Sequence, residues 1–227
     1  GPDPGWCCDQ ATALVAGGAI CVRGNHDNAA AGAAEAMSTL ARKALDWTRD
    51  RLGDGHVDFL ASLPLTAEAE GVLFVHASAS HPEDWSYVTS DTKAIPSFRA
   101  TTARLILCGH VHVPLLASCD MGGMVREQGF RTGLPIPLLP SRRWLAVVGS
   151  VGQPRDRDPR ASYMTYDSTA GLVRWQRVDY AIEHAQDRIR RLAAVADGPD
   201  HQRLAPAHVA RCEHLGHAGG VAAVEVG

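Results

Sequence analysis

Apolar residues follow two rhythms along this chain. Unbroken apolar runs at 19–23, 71–76, 104–108 and 144–148 predict buried strands, and 162–166 and 172–178 predict two more. Spacing of three and four residues appears at 35–52, through Met37, Leu40, Ala44, Leu45 and Trp47. It recurs at 181–195, through Ile182, Ile189 and Leu192, and both segments predict amphipathic helices. Asp3-Pro4 predicts a helix start, with Asp3 as N-cap, that runs to about Val15 and stops at Gly17-Gly18. A short helix is expected at 56–63, before Pro64. Residues 77–97, polar and containing Pro82 and Pro96, read as an irregular loop with room for a short helix. A hairpin is expected over 113–127 around Met121-Gly122-Gly123, and the proline-rich stretch 130–143 reads as an exposed excursion.

Strands alternate with helices in the first half and cluster in the second. That order predicts an α/β layered domain, part parallel and part antiparallel, over residues 1–195. After Asp197 come a Gly-Pro, a His-rich run and small residues. Residues 196–227 are therefore expected to form a poorly ordered tail.

A net charge of −3 and a pI near 6.4 speak against a mainly electrostatic nucleic-acid binder. No apolar run reaches the length of about 20 residues that a bilayer requires. The six cysteines show no CxxC pairing and read as reduced thiols of a cytoplasmic protein.

Candidate chemistry sits in three places. Gly24-Asn25-His26-Asp27 and Gly109-His110-Val111-His112 each lie where an apolar run gives way to a loop, and His76 ends the run at 72–75. Phosphoester hydrolysis near neutral pH needs an activated water and neutralised anionic oxygens. Two metal ions roughly 3.5–4 Å apart do both. An amide carbonyl and neutral imidazoles suit Zn, Mn or Fe. Asn25 offers the carbonyl, which leaves His26 to act as acid or phosphate contact with Asp27 orienting it. In an extended segment His110 and His112 would present their rings on one side.

These motifs, in this order and rough spacing, resemble the calcineurin-like metallophosphoesterase superfamily. The segment Gly149-Ser150-Val151-Gly152-Gln153-Pro154-Arg155-Asp156 narrows the resemblance to the bacterial diadenosine-tetraphosphatase-like or serine/threonine-phosphatase-like branch. The likeness covers about residues 1–195 and implies a four-layer αββα sandwich. It makes Asn25, His76 and His110 ligands of one metal, His112 a ligand of the other, and His26 with Asp27 the catalytic pair. Arg155 becomes a candidate phosphate contact. The family's N-terminal Asp-x-His and Gly-Asp motifs have no counterpart, so their strands and carboxylates are expected to lie before residue 1. The usual His-Gly is His76-Ala77 here, and the usual Asn-Pro before Gly-Ser is Val147-Val148.

Simpler readings stand beside these. Gly-Asn-His-Asp is also a common turn composition, and two glycines at 149–152 also make a tight turn. His201, His208, Cys212, His214 and His217 fit no compact zinc spacing and read as solvated tail; His56, His81 and His184 read as solvent-facing. Two functions follow. One is a metal-dependent phosphoester hydrolase with a dinuclear site. The other is a catalytically impaired fragment or relative, either a binding or regulatory protein or a non-functional remnant, holding one metal or none. Exposed strand edges are expected to drive self-association of the chain; a monomer that melts cooperatively in size-exclusion and thermal measurements would contradict this.

Overall fold

The apolar runs at 71–76, 104–108 and 144–148 become adjacent parallel strands of one sheet. The computed structural model of the chain describes residues 1–33, 39–197 and 221–223. Helix α1 (Pro4–Ala16) opens on Pro4, whose missing N–H is harmless at a first helical position. Asp3 occupies the N-cap position without capping; its carboxylate instead pairs with Arg188, at 2.5 and 2.7 Å.

Residues 19–23 are not the expected strand. They run without a ladder, Ile20 is 45% exposed, and Arg23 N–H donates to the Pro64 carbonyl at 2.8 Å. An apolar run becomes a strand only beside a partner, and the place next to the neighbouring strand is taken by β1 (Thr66–Ala69). Helices α2 (Asn25–Ala30), α3 (Thr39–Arg49) and α4 (Asp54–Ser62) pack with α1 around Cys8, Ala29, Leu45, Leu60 and Leu63. The start of the helix expected at 35–52 lies outside the described residues.

β1 and β2 (Val72–Val75) form a hairpin. Its two-residue turn, Glu70 and Gly71, has φ of +52° and +74°, which a tight turn between twisted strands favours. α5 (Asp91–Ala100) replaces part of the irregular stretch expected at 77–97. Ser90 caps it by accepting from Lys93 N–H at 3.3 Å, and it carries Pro96 within. Then follow β3 (Leu105–Cys108), β4 (Leu115–Cys119), β5 (Val125–Glu127), β6 (Ile136–Pro137), β7 (Arg143–Val147), β8 (Ala161–Asp167), β9 (Leu172–Val178), α6 (Ile182–Asp197) and β10 (Val221–Ala223).

The first sheet runs β1-β2-β3-β7-β4-β5, with β2, β3 and β7 mutually parallel and the other pairs antiparallel. The second runs β10-β8-β9-β6 and is antiparallel throughout. Leu73, Val75, Ile106, Cys108 and Leu145 meet Ala94 and Phe98 of α5 on one face of the first sheet. Leu105, Leu107, Trp144 and Ala146 on the other face meet Met164, Tyr166, Val173 and Trp175 of the second sheet. The result is the expected mixed α/β fold of helices and stacked sheets. The stretch 130–143 is largely exposed, as expected, and is anchored by Phe130, which stacks on Trp175 at 4.2 Å, and by the buried Leu138. The expected tail falls outside the described residues except for β10 and the end of α6, so its histidines and Cys212 do too.

Trp175 is fully buried between the sheets, and its ring N–H donates to the Val147 carbonyl at 3.3 Å. Trp175→Ala is expected to cost about 3–5 kcal/mol in urea unfolding; a cost below about 1 kcal/mol would mean that the sheets do not share this core.

A histidine cluster at the ends of three parallel strands

Three parallel neighbours, β2, β3 and β7, finish at one edge of the first sheet. His76 comes one residue after β2, His110 and His112 follow β3, and Gln153 and Arg155 follow β7. This edge, beyond the carboxyl ends of parallel strands, is where α/β folds place ligand sites. Gly109 N–H donates to the His76 carbonyl at 2.9 Å, and Val148 N–H to the Cys108 carbonyl at 2.8 Å, so the register is carried past the strands into the loops.

Asn25 and His26 arrive from a different element. They open α2 and do not end a strand, as the sequence had suggested. Gly24 is the cap residue, and the Asp27 carboxylate accepts from Gly24 N–H at 2.9 Å. Asp27 is thus engaged in holding the helix start. Burial raises its pKa above the usual carboxylate range, against the lowering by that hydrogen bond and by Arg23.

The donor atoms converge on His76. Its Nε2 lies 3.0 Å from Asn25 Oδ1 and 2.9 Å from His110 Nδ1. Gly24 is what admits the His76 ring: a Cβ there would come within 2.8 Å of His76 Nδ1. The segment from Gly109 turns where an extended run was expected. His110 and His112 both have left-handed backbones, with φ of +65° and +64°. His110 stacks on Tyr87, with ring centroids 4.3 Å apart, and its ring donates to the Trp85 backbone carbonyl. His112 Nδ1 lies 2.9 Å from the Gln153 carbonyl oxygen. A carbonyl only accepts, so Nδ1 carries the proton and Nε2 is the acceptor nitrogen of the ring.

Electrostatics confirms that the rings share one neighbourhood. Burial, then His110, His26 and His112, pushes the pKa of His76 down to about 3. Burial and then Arg155 hold His112 at about 4, and burial and then His26 lower His110. All three rings are neutral at pH 7, the form that binds metals. Arg155 is exposed and near enough to act on both His110 and His112.

The two contacts of His76 Nε2 have the spacing of ligands on one cation. In an octahedral site, ligand atoms each about 2.1 Å from a shared ion are about 3 Å apart, which matches the His76 contacts. The third donor is an amide. Among the described residues no three His, Cys, Asp or Glu side chains have metal-holding spacing. The first two acids of the chain are engaged elsewhere: Asp3 pairs with Arg188, and Asp9 lies 3.0 Å from His56 Nε2. That contact also corrects the reading of His56 as merely solvent-facing. Trp85, Tyr87 and the Gln153 carbonyl escaped the sequence analysis, because a ring contact and a backbone acceptor leave no motif.

Two outcomes follow. Gly24→Ala is expected to push His76 away from Asn25 and His110, visible as altered His76 and His110 ring resonances in NMR; unchanged resonances would contradict the close approach. His76 has a folded pKa of about 3 against an ordinary 6.5. The unfolded chain therefore binds the extra proton between those values, so stability present above pH 6.5 is lost as pH falls toward 3. The fall in unfolding free energy from pH 7 to 4 is expected to be shallower in His76→Gln than in the wild type, and equal slopes would refute it.

The chain is similar to known proteins. The family model described as the calcineurin-like phosphoesterase superfamily domain matches residues 6–171. An uncharacterized protein of Methanocaldococcus jannaschii is 32% identical over 177 residues, covering 75% of this chain and 69% of that protein. The crystal structure of a metallophosphoesterase from Sphaerobacter thermophilus superposes with a TM-score of 0.73 at 33% identity, covering 85% of this chain and 79% of that one. A hypothetical protein from Pyrococcus horikoshii shares the fold, with a TM-score of 0.57 at 18% identity, covering 76% and 67% of the two chains. With its motifs gathered at one sheet edge and the family model spanning most of its length, this chain belongs to the calcineurin-like phosphoesterase superfamily.

Proposed function

We propose that this chain is a metal-dependent phosphoester hydrolase whose centre is the Asn25–His76–His110 cluster. The observation that carries the reading is the convergence of Asn25 Oδ1 and His110 Nδ1 on His76 Nε2 at 3.0 and 2.9 Å. These three side chains would hold one divalent cation (Mn, Fe or Zn), and His112 Nε2 would face a second. Such ions supply Lewis-acid charge that polarises a phosphoryl oxygen and acidifies water.

The chain's own residues do the rest. His26 is exposed at the mouth of the cluster, positioned to give a proton to the departing oxygen. Asp27, by bonding Gly24 N–H, fixes the helix start from which Asn25 and His26 project. Arg155 offers a guanidinium to a phosphate oxygen. Burial keeps His76 and His112 neutral, so they compete poorly for protons and remain donors. The five described cysteines are unpaired, which suits a reducing cytoplasm, and no helix among the described residues is long and apolar enough to cross a membrane.

One observation favours a second reading, a catalytically impaired relative that binds or regulates: the described residues add no carboxylate to the cluster. Metal content per chain, measured with turnover of bis-p-nitrophenyl phosphate in added Mn, separates the two. The hydrolase reading expects metal and turnover, with His110→Ala reducing turnover by roughly 100-fold or more. At most one weakly held ion and no turnover would overturn it in favour of the impaired relative.

A further inference from the structure

We infer that Arg177, on β9, is a positioning residue that sets the orientation of the His112 ring from the second sheet. His112 has a left-handed backbone, φ +64°, and a residue other than glycine holds that conformation only where its surroundings over-determine it. Two bonds do so here. The Gln153 carbonyl lies 2.9 Å from His112 Nδ1, and Arg155 N–H donates to the His112 carbonyl at 3.1 Å. Both come from the segment 149–160, which has no regular structure of its own.

That segment is tied down at each end. At its start Gln153 N–H donates to Ser150 Oγ at 2.9 Å, and Ser162 Oγ donates to the Val148 carbonyl at 3.0 Å. Gly149 has φ +89°, and a Cβ there would come within 2.6 Å of Ser162 Oγ, so the tie allows no larger residue. At its far end stands Arg177, with a side chain only 4% exposed. It bonds the Asp156 carboxylate, approaches Asp158 Oδ2 at 3.8 Å, and donates to the carbonyls of Arg160 at 3.2 Å and Asp158 at 3.5 Å. Arg160 grips the same Asp158 carboxylate, at 2.7 and 2.9 Å.

The planar fork of an arginine reaches several acceptors at once, which the point charge of a lysine does not. Without it, Asp156 and Asp158 lose their shared cation, and the segment that carries Gln153 and Arg155 loses its far anchor. His112 then loses the carbonyl that fixes its tautomer and aims Nε2. A partner of this kind behind a metal-facing histidine is worth about 10–100-fold in metal affinity. The inference rests on the proposed function only for what His112 Nε2 faces; the orientation of the ring does not depend on it.

The test is heteronuclear NMR of the His112 ring together with zinc titration. The variants are Arg177→Met and Arg177→Lys, with Arg188→Met as a control that removes a surface pair elsewhere. Loss of the hydrogen-bonded Nδ1–H signal of His112 in both Arg177 variants, but not in Arg188→Met, is expected, with zinc bound about 10–100-fold more weakly. Folded Arg177 variants with a wild-type His112 signal would overturn the inference, whatever their melting temperature. If the Arg177 variants do not fold, Asp156→Asn decides in the same way, because it loosens the same anchor and leaves Arg177 in place. If no chain binds zinc but the His112 signal still depends on Arg177, the positioning role holds and the proposed function fails.

Discussion

The site depends on one alignment, the parallel register of β2 and β3 extended by the bond from Gly109 N–H to the His76 carbonyl at 2.9 Å. That bond brings the residue after one strand level with the turn after the next. His76 and His110 then meet edge to face, with Nε2 and Nδ1 2.9 Å apart. A third element, α2, closes on them only because Gly24 has no side chain to strike His76. Rigid strands supply two donors, and the start of a short helix supplies the third.

The surroundings give that alignment its chemical character. Burial and mutual proximity favour neutral rings, so the cluster presents lone pairs and little charge of its own. Arg155 adds positive charge from an exposed position. Asp27, the nearest acid in sequence, acts instead on the Gly24 backbone and stabilises the helix start. A cluster of neutral donors beside an arginine suits a cation and an anion together. A metal with a phosphoester meets both demands, in keeping with the superfamily to which the chain belongs.

Much of this was legible in the sequence where a local rule governs. Pro4 and Gly17 mark the limits of α1, and the unbroken apolar runs of β2, β3 and β7 reveal strands buried on both faces. The hairpin of β4 and β5 is visible in Gly122-Gly123. What failed turned on partners that a sequence does not display. The run at 19–23 is as apolar as a strand but has no neighbour, whereas Thr66–Ala69 is weakly apolar and pairs because a tight turn folds it onto β2. Turn-forming residues at 24–28 begin a helix, since the Asp27 carboxylate returns to Gly24. The cluster was readable as motifs; the left-handed backbones at His110 and His112, and the rings of Trp85 against His76 and Tyr87 against His110, follow from contacts distant in sequence.

The central claim is that Asn25, His76 and His110 share one ion. Anomalous diffraction from crystals grown with Mn tests it most directly. The account predicts a peak bonded to Asn25 Oδ1, His76 Nε2 and His110 Nδ1, each at roughly 2.0–2.3 Å. A map with no peak there, or with manganese bound only elsewhere, would contradict it.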